Sequence, residues 1–129
     1  MALQLQIVTP GATAFSGTVA QVRAPGLLGE FGVLPDHMPF LSVLKAGVVR
    51  LSTSDGERAF VVGRGFAEVG ATRVVLLTEQ AEDGASVDKS AAQKELEEAE
   101  KVLAGADPRS GEWANAERRA ELARARLSV

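Results

Sequence analysis

Apolar and polar residues alternate strictly over Leu3-Gln4-Leu5-Gln6-Ile7, the period of a strand with one face buried. Thr9-Pro10-Gly11 ends that run. Phe15 to Ala24 predicts a bent strand with a bulge at Gly17, and Pro25-Gly26 punctuates the chain again. Gly47 to Ser52 and Arg58 to Val62 flank Ser54-Asp55-Gly56. Asp-Gly between two apolar runs predicts a hairpin whose turn takes positive φ at both positions. Phe66-Ala67-Glu68-Val69 and Arg73-Val74-Val75-Leu76-Leu77 repeat the pattern around Gly70. Val74 to Leu77 is apolar without interruption, which predicts a strand covered on both faces. No helical crossovers separate these runs, so the expectation is an all-β sandwich of about ten short, mostly antiparallel strands.

The period changes after Asp83-Gly84. Ala92, Leu96, Ala99 and Leu103 recur at spacings of four, three and four, and Trp113, Ala116, Ala120, Ala123 and Leu127 at three, four, three and four. Each set is one stripe along a helix. Ser86 is the expected N-cap of the first helix, and Asp107-Pro108 the expected start of the second. The short segment Ala104-Gly105-Ala106-Asp107 predicts an antiparallel two-helix hairpin. The division is therefore residues 1–84, a β-sandwich, and 85–129, a C-terminal helical hairpin. A seam made mainly of alanine methyls, each worth ~0.8 kcal/mol when buried, holds such helices weakly. Weak closure and long reach suit a two-position switch.

Composition narrows the chemistry. Eleven of the thirteen glycines fall at or before Gly84, and the residues after it are rich in Ala, Glu, Lys and Arg. Absent cysteines exclude disulfides and thiolate chemistry, and the single histidine, His37, excludes a metal site built from several imidazoles. No nucleophile elbow or phosphate-binding glycine loop occurs, and Gly63-Arg64-Gly65 lacks the rest of a dinucleotide fingerprint. A net charge of −3 argues against nucleic acid as a partner. Met1 to Gln6 lacks the basic start and apolar stretch of a secretory signal, and no apolar run nears the ~20 residues of a membrane span. The first helix carries six acids against three lysines, the second five arginines against three glutamates. Arg118, Arg119, Arg124 and Arg126 are therefore expected to pair with Glu95 to Glu100 across the hairpin or to meet an acidic partner.

Gly29-Glu30-Phe31-Gly32-Val33-Leu34-Pro35-Asp36-His37-Met38-Pro39-Phe40-Leu41 closely resembles the G-E-x-G-I-L-P-G-H-x-P-L-L stretch of ATP synthase epsilon subunits. Lys45-Ala46-Gly47-Val48-Val49 is similar to the family's K-P-G-x-V, and Phe66 to Val69 with Arg73 to Leu77 to its G-F-x-E-V and V-x-V-L-x pieces. Ala120 to Leu127 resembles its second helix, so the resemblance covers essentially the whole chain. Two departures stand out. Asp36 replaces the usual glycine before the histidine, and Arg64 replaces the first glycine of a frequent pair. Aspartate tolerates positive φ at some cost, and arginine does so less readily.

The resemblance implies a non-catalytic rotor subunit of a proton-translocating F-type ATP synthase. It places Leu27, Leu28 and Glu30, in a glycine-bracketed loop, against the ring of c subunits, and His37, Met38 and Ser42 against the gamma subunit. It implies that the hairpin extends into the catalytic alpha/beta head and opposes ATP hydrolysis, with the four arginines meeting acidic groups there. Some relatives bind ATP through [I/L]-D-x-x-R-A. The matching Val87-Asp88-Lys89-Ser90-Ala91-Ala92 keeps the aspartate but has Ala91 in place of arginine. Loss of that phosphate-facing donor argues against ATP binding, for which Asp88, Arg119 and Arg124 are the remaining candidate contacts, and the expectation is no cofactor and no metal. The implied location is the cytoplasmic face of a bacterial plasma membrane, or a chloroplast thylakoid, reached through the complex alone. The alternatives are a free-standing nucleotide sensor and a protein-binding adaptor of the same shape.

Overall fold

A computed structural model describes residues 2–129. Ten strands come first: β1 (Leu3–Val8), β2 (Thr13–Val19), β3 (Gln21–Gly26), β4 (Gly29–Val33), β5 (Phe40–Leu44), β6 (Gly47–Thr53), β7 (Gly56–Val62), β8 (Gly65–Val69), β9 (Arg73–Thr78) and β10 (Ala81–Asp83). A single 3-10 turn, Gly84–Ser86, leads to α1 (Lys89–Gly105) and α2 (Gly111–Ser128). The strands form one sheet in the order β10-β7-β6-β3-β5-β8-β9-β1-β2, with β4 paired to β3. All the pairings are antiparallel except β1 with β9.

The sheet folds over on itself around Leu3, Leu5, Ile7, Val22, Leu44, Val49, Leu51, Phe60, Ala67, Val74 and Leu76, all buried. Alternation along β1 delivers Leu3, Leu5 and Ile7 inward in the expected way. The two ends of the sheet meet where the Phe15 and Phe60 rings pack edge to face, with centroids 5.7 Å apart. The Arg58 guanidinium lies over the same two rings at 5.4 and 4.9 Å, a cation–π cover for the seam.

Several local expectations are corrected. The stretch from Phe15 to Ala24 is two strands broken at Ala20, and the register shift falls between Ile7 and Val8, not at Gly17. Pro25 and Gly26 lie inside β3, with Leu27-Leu28 as the turn; Glu30 therefore sits on a strand, not in a loop. In the β6–β7 turn only Gly56 has positive φ, +118°, and Asp55 does not. Asp36 is the one non-glycine residue at positive φ among the described residues, 65°, as its place in the motif suggested, whereas Arg64 is accommodated without it. Asp88 caps α1, accepting from the Ala91 amide, and Ser110 caps α2, accepting from the Trp113 amide. Ser86 and Asp107-Pro108 lie in the preceding turns, where Asp107 accepts from the Arg109 amide instead.

Gly65 is fixed by crowding. It pairs with Leu44 and Thr78 on its two neighbouring strands, and a β-carbon there would overlap the Leu77 carbonyl oxygen. Gly65→Ala is expected to cost about 2 kcal/mol through forced backbone shifts, read as a lower urea midpoint with an unchanged slope.

Candidate functional site

Three regions carry exposed or charged groups in organised form. The first is the outward side of β5, β8, β9 and β1. Register aligns Val43 with Phe66, Phe66 with Leu77, and Leu77 with Val8. Val43 is 46 % exposed, Phe66 53 % and Leu77 46 %. The uninterrupted apolar run in β9 predicted cover on both faces, but burial alternates there and one face stays open. Leu27, in the turn after β3, donates its amide to the Val43 carbonyl at 2.9 Å and extends the row. A groove of about 1060 Å³ follows this band and is bounded by Lys45, Arg64 and Glu121. Thr78, 4 % exposed, also lines it, and its Oγ1 has no hydrogen-bond partner among the described residues. An open apolar row with an unpaired hydroxyl beneath it is costly in water and suits a covering partner.

The second region is the β3–β4 turn and the β4–β5 connection. Leu28 is fully exposed at the tip of the turn, and Leu27 beside it is largely so. Glu30 pairs loosely with Arg23 on β3, at 4.0 Å. His37 donates from Nδ1 to the Met38 carbonyl at 2.9 Å, and its ring meets the edge of Phe40 at 5.2 Å between centroids. Met38 and Leu41 are exposed. Ser42 lies on the inward side of β5, opposite buried Ala67, and its hydroxyl donates to the Val43 carbonyl at 3.3 Å. The outward positions on either side of it, Leu41 and Val43, are the exposed ones.

The third region is the hairpin. Ala92 and Ala99 of α1, and Ala116, Ala120 and Ala123 of α2, are fully buried. The Trp113 indole donates to the Leu103 carbonyl at 3.2 Å, tying the start of α2 to the end of α1. The arginines divide differently from the expected pairing with Glu95 to Glu100. Arg119 alone reaches across the hairpin, to Glu95 and Glu98. Arg118 and Arg126 turn to the sandwich, to Glu79 at the end of β9 and Glu82 on β10. Arg124 is exposed, with no ion pair among the described residues. Asp88 is engaged as a helix cap, Arg119 is held by carboxylates, and neither they nor Arg124 line the large groove.

Arg64 is the residue that sequence reasoning missed as a contact. Its Nε donates to Glu121 Oε1 and its Nη2 to Glu117 Oε1, both at 2.9 Å. The hydrogen bonds it donates to Glu121, opposed by the cost of burial and reinforced by the charge of Glu121 and by Glu117, hold this guanidinium protonated well above its ordinary range. A departure from the glycine pattern was its signal, but sequence spacing gave no partner for it.

Three carboxylates sit below their ordinary range: Asp83, through the Ala85 amide and Arg58, Glu95, through the hydrogen bond from Arg119, and Asp107, through the Arg109 amide and side chain. A group depressed in the folded state stabilises fully above its unfolded pKa of about 4 and loses that contribution as the pH falls through the folded value. The melting temperature is expected to hold between about pH 8 and 5 and to decline below about 4. Glu95→Gln should make the acid limb shallower, checked by thermal scans across pH.

The sandwich matches the sequence family described as ATP synthase, Delta/Epsilon chain, beta-sandwich domain, over residues 2–84. The chain is 33% identical over 131 residues to an ATP synthase epsilon chain of Parasynechococcus marenigrum, covering 100% of this chain and 96% of that one. It is 38% identical over 127 residues to an ATP synthase epsilon chain of Magnetococcus marinus, covering 98% and 93%. A chain in the Euglena gracilis mitochondrial ATP synthase, solved as OSCP/F1/c-ring, superposes with a TM-score of 0.83 at 23% identity, over 95% of this chain and 78% of that one, and shares the fold. The architecture is thus that of the delta/epsilon class of β-sandwich subunits. This chain belongs to the ATP synthase epsilon chain family. Among the described residues no helix is long and apolar enough to cross a membrane.

Proposed function

We propose that the chain is a non-catalytic central-stalk subunit of a proton-translocating ATP synthase. In this reading its sandwich joins the gamma subunit to the c-ring, and its hairpin restrains ATP hydrolysis. The observation that carries the docking role is the open row Val43–Phe66–Leu77 with the groove along it. The gamma subunit covers that row, with Met38 and His37 at its margin, and Leu27, Leu28 and Glu30 meet the c-ring from the β3–β4 turn. The position is peripheral, on the side of the membrane that carries the catalytic head. The regulatory role is supported by a hairpin closed through small side chains and half-exposed ion pairs, which an extended state can replace with contacts to the alpha/beta head.

The test is removal of residues from Ser86 onward, followed by assay of the assembled enzyme. Assembly and coupling are expected to survive, and ATP hydrolysis to rise several-fold. Unchanged hydrolysis sinks the regulatory role; loss of gamma binding by mutation elsewhere than the apolar row, but not within it, sinks the docking surface.

A further inference from the structure

The contact between α2 and the sandwich includes buried apolar residues, Val61 and Ala125, and a set of ion pairs whose charges alternate. On the sandwich stand Arg64, between β7 and β8, then Glu79 and Glu82; facing them on α2 stand Glu117 and Glu121, then Arg118 and Arg126. Glu117 and Glu121 are four residues apart, one turn of helix, so both point the same way. Their two carboxylates close on one guanidinium, which is about one-third exposed. Arginine alone presents a rigid fork able to hold two carboxylates at once. Sliding α2 by one turn leaves Arg64 a single carboxylate and carries arginines away from Glu79 and Glu82. The arrangement therefore specifies a position as well as an attraction.

We propose that Arg64 is the positioning residue that sets the docked state of the hairpin, as the hub of an ionic latch that needs no nucleotide. The latch is a property of the isolated chain; its bearing on ATP hydrolysis rests on the function proposed above. Close packing assists it at the far end, where a β-carbon on Gly84 would meet the Val129 side chain at 2.6 Å. Those contacts are apolar and insensitive to salt, which separates the two contributions experimentally.

The chain has no cysteine, so Thr72→Cys and Asn115→Cys place spin labels on the β8–β9 turn and the exposed side of α2. In the full-length chain the labels are expected to report one docked distance at low salt. A second, longer distance should grow in as salt approaches about 1 M, where screening acts within about 3 Å. Arg64→Gln is expected to raise the open-to-docked ratio about tenfold at low salt and to flatten the salt response; Arg64→Lys should fall between. The pair Glu117→Gln with Glu121→Gln tests the same contact without touching the sandwich. Arg64→Glu combined with Glu117→Arg and Glu121→Arg should recover the docked distance. A parent-like distance and salt response in Arg64→Gln overturns the proposal, as does a reversed triple variant no better than Arg64→Glu alone. If the labels behave as expected while hydrolysis ignores loss of the hairpin, the latch stands and the proposed function falls; the opposite pattern removes the latch only.

Discussion

Phe66→Asp is expected to leave the sandwich folded and to weaken binding of the gamma subunit by about 100-fold or more. Phe66 points outward from β8 between Val43 and Leu77, so the folded chain loses little packing. Covering the phenyl ring on docking is worth roughly 2–3 kcal/mol. An aspartate in its place forfeits that gain and must also shed water from a carboxylate with no cation in the row, a further cost of a few kcal/mol. Even the lower end of that sum exceeds the ~2.7 kcal/mol that separates two decades of affinity. Glu68, the next outward position on β8, is exposed, and Glu68→Ala is expected to change affinity less than threefold. Titration calorimetry against purified gamma subunit, beside thermal melts, reads both. Parent-like affinity for a folded Phe66→Asp chain removes the row from the interface.

The sandwich was legible because alternation has a direct physical cause: each inward residue on β1 meets the core and each outward one meets water. The same rule misled at β9. An uninterrupted apolar run reports two faces that require cover, but not what supplies the cover. Within this chain Val74 and Leu76 take the core while Leu77 stays open, so the discrepancy itself locates a docking surface. Pro25-Gly26 punctuates the sequence, yet β3 keeps Pro25 as a buried member paired to Glu30. Helix starts were displaced by a few residues because several side chains near each start can cap; Asp88 and Ser110 won over Ser86 and Asp107, which close the preceding turns. The hairpin stripe was readable as one face, but α2 has two: one toward α1, and another that puts Glu117, Arg118, Glu121 and Arg126 on the sandwich. Contacts across more than fifty residues, such as Arg64 with Glu117, leave no local pattern to read.

Ala99→Leu is expected to open the hairpin. Ala99 lies in the middle of α1 with no exposed surface, and α2 is the element packed against that helix. Where the facing positions are also alanines, the helices come close enough that a leucine has no cavity to enter. Overpacking of this kind costs about 2 kcal/mol. A core strand has no alternative to absorbing such strain, but two helices can separate. What opposes separation is a few methyls at ~0.8 kcal/mol each, and exposed ion pairs such as Arg119 with Glu98 that are worth ~0–1 kcal/mol. The ratio of separated to closed helices is therefore expected to rise about 30-fold. Trp113 is the only tryptophan, and its indole is half-buried while bonded to Leu103, so opening shifts its emission to longer wavelength and admits a soluble quencher. Ala99→Ser, which stays small, is expected to leave emission unchanged, and the sandwich should melt normally in both. In the assembled enzyme the leucine variant should hydrolyse ATP more slowly than the parent, since it favours the extended helices. Unaltered Trp113 emission in a folded Ala99→Leu chain means that the seam absorbs a leucine, and that close alanine packing is not what keeps the two positions of the hairpin near balance.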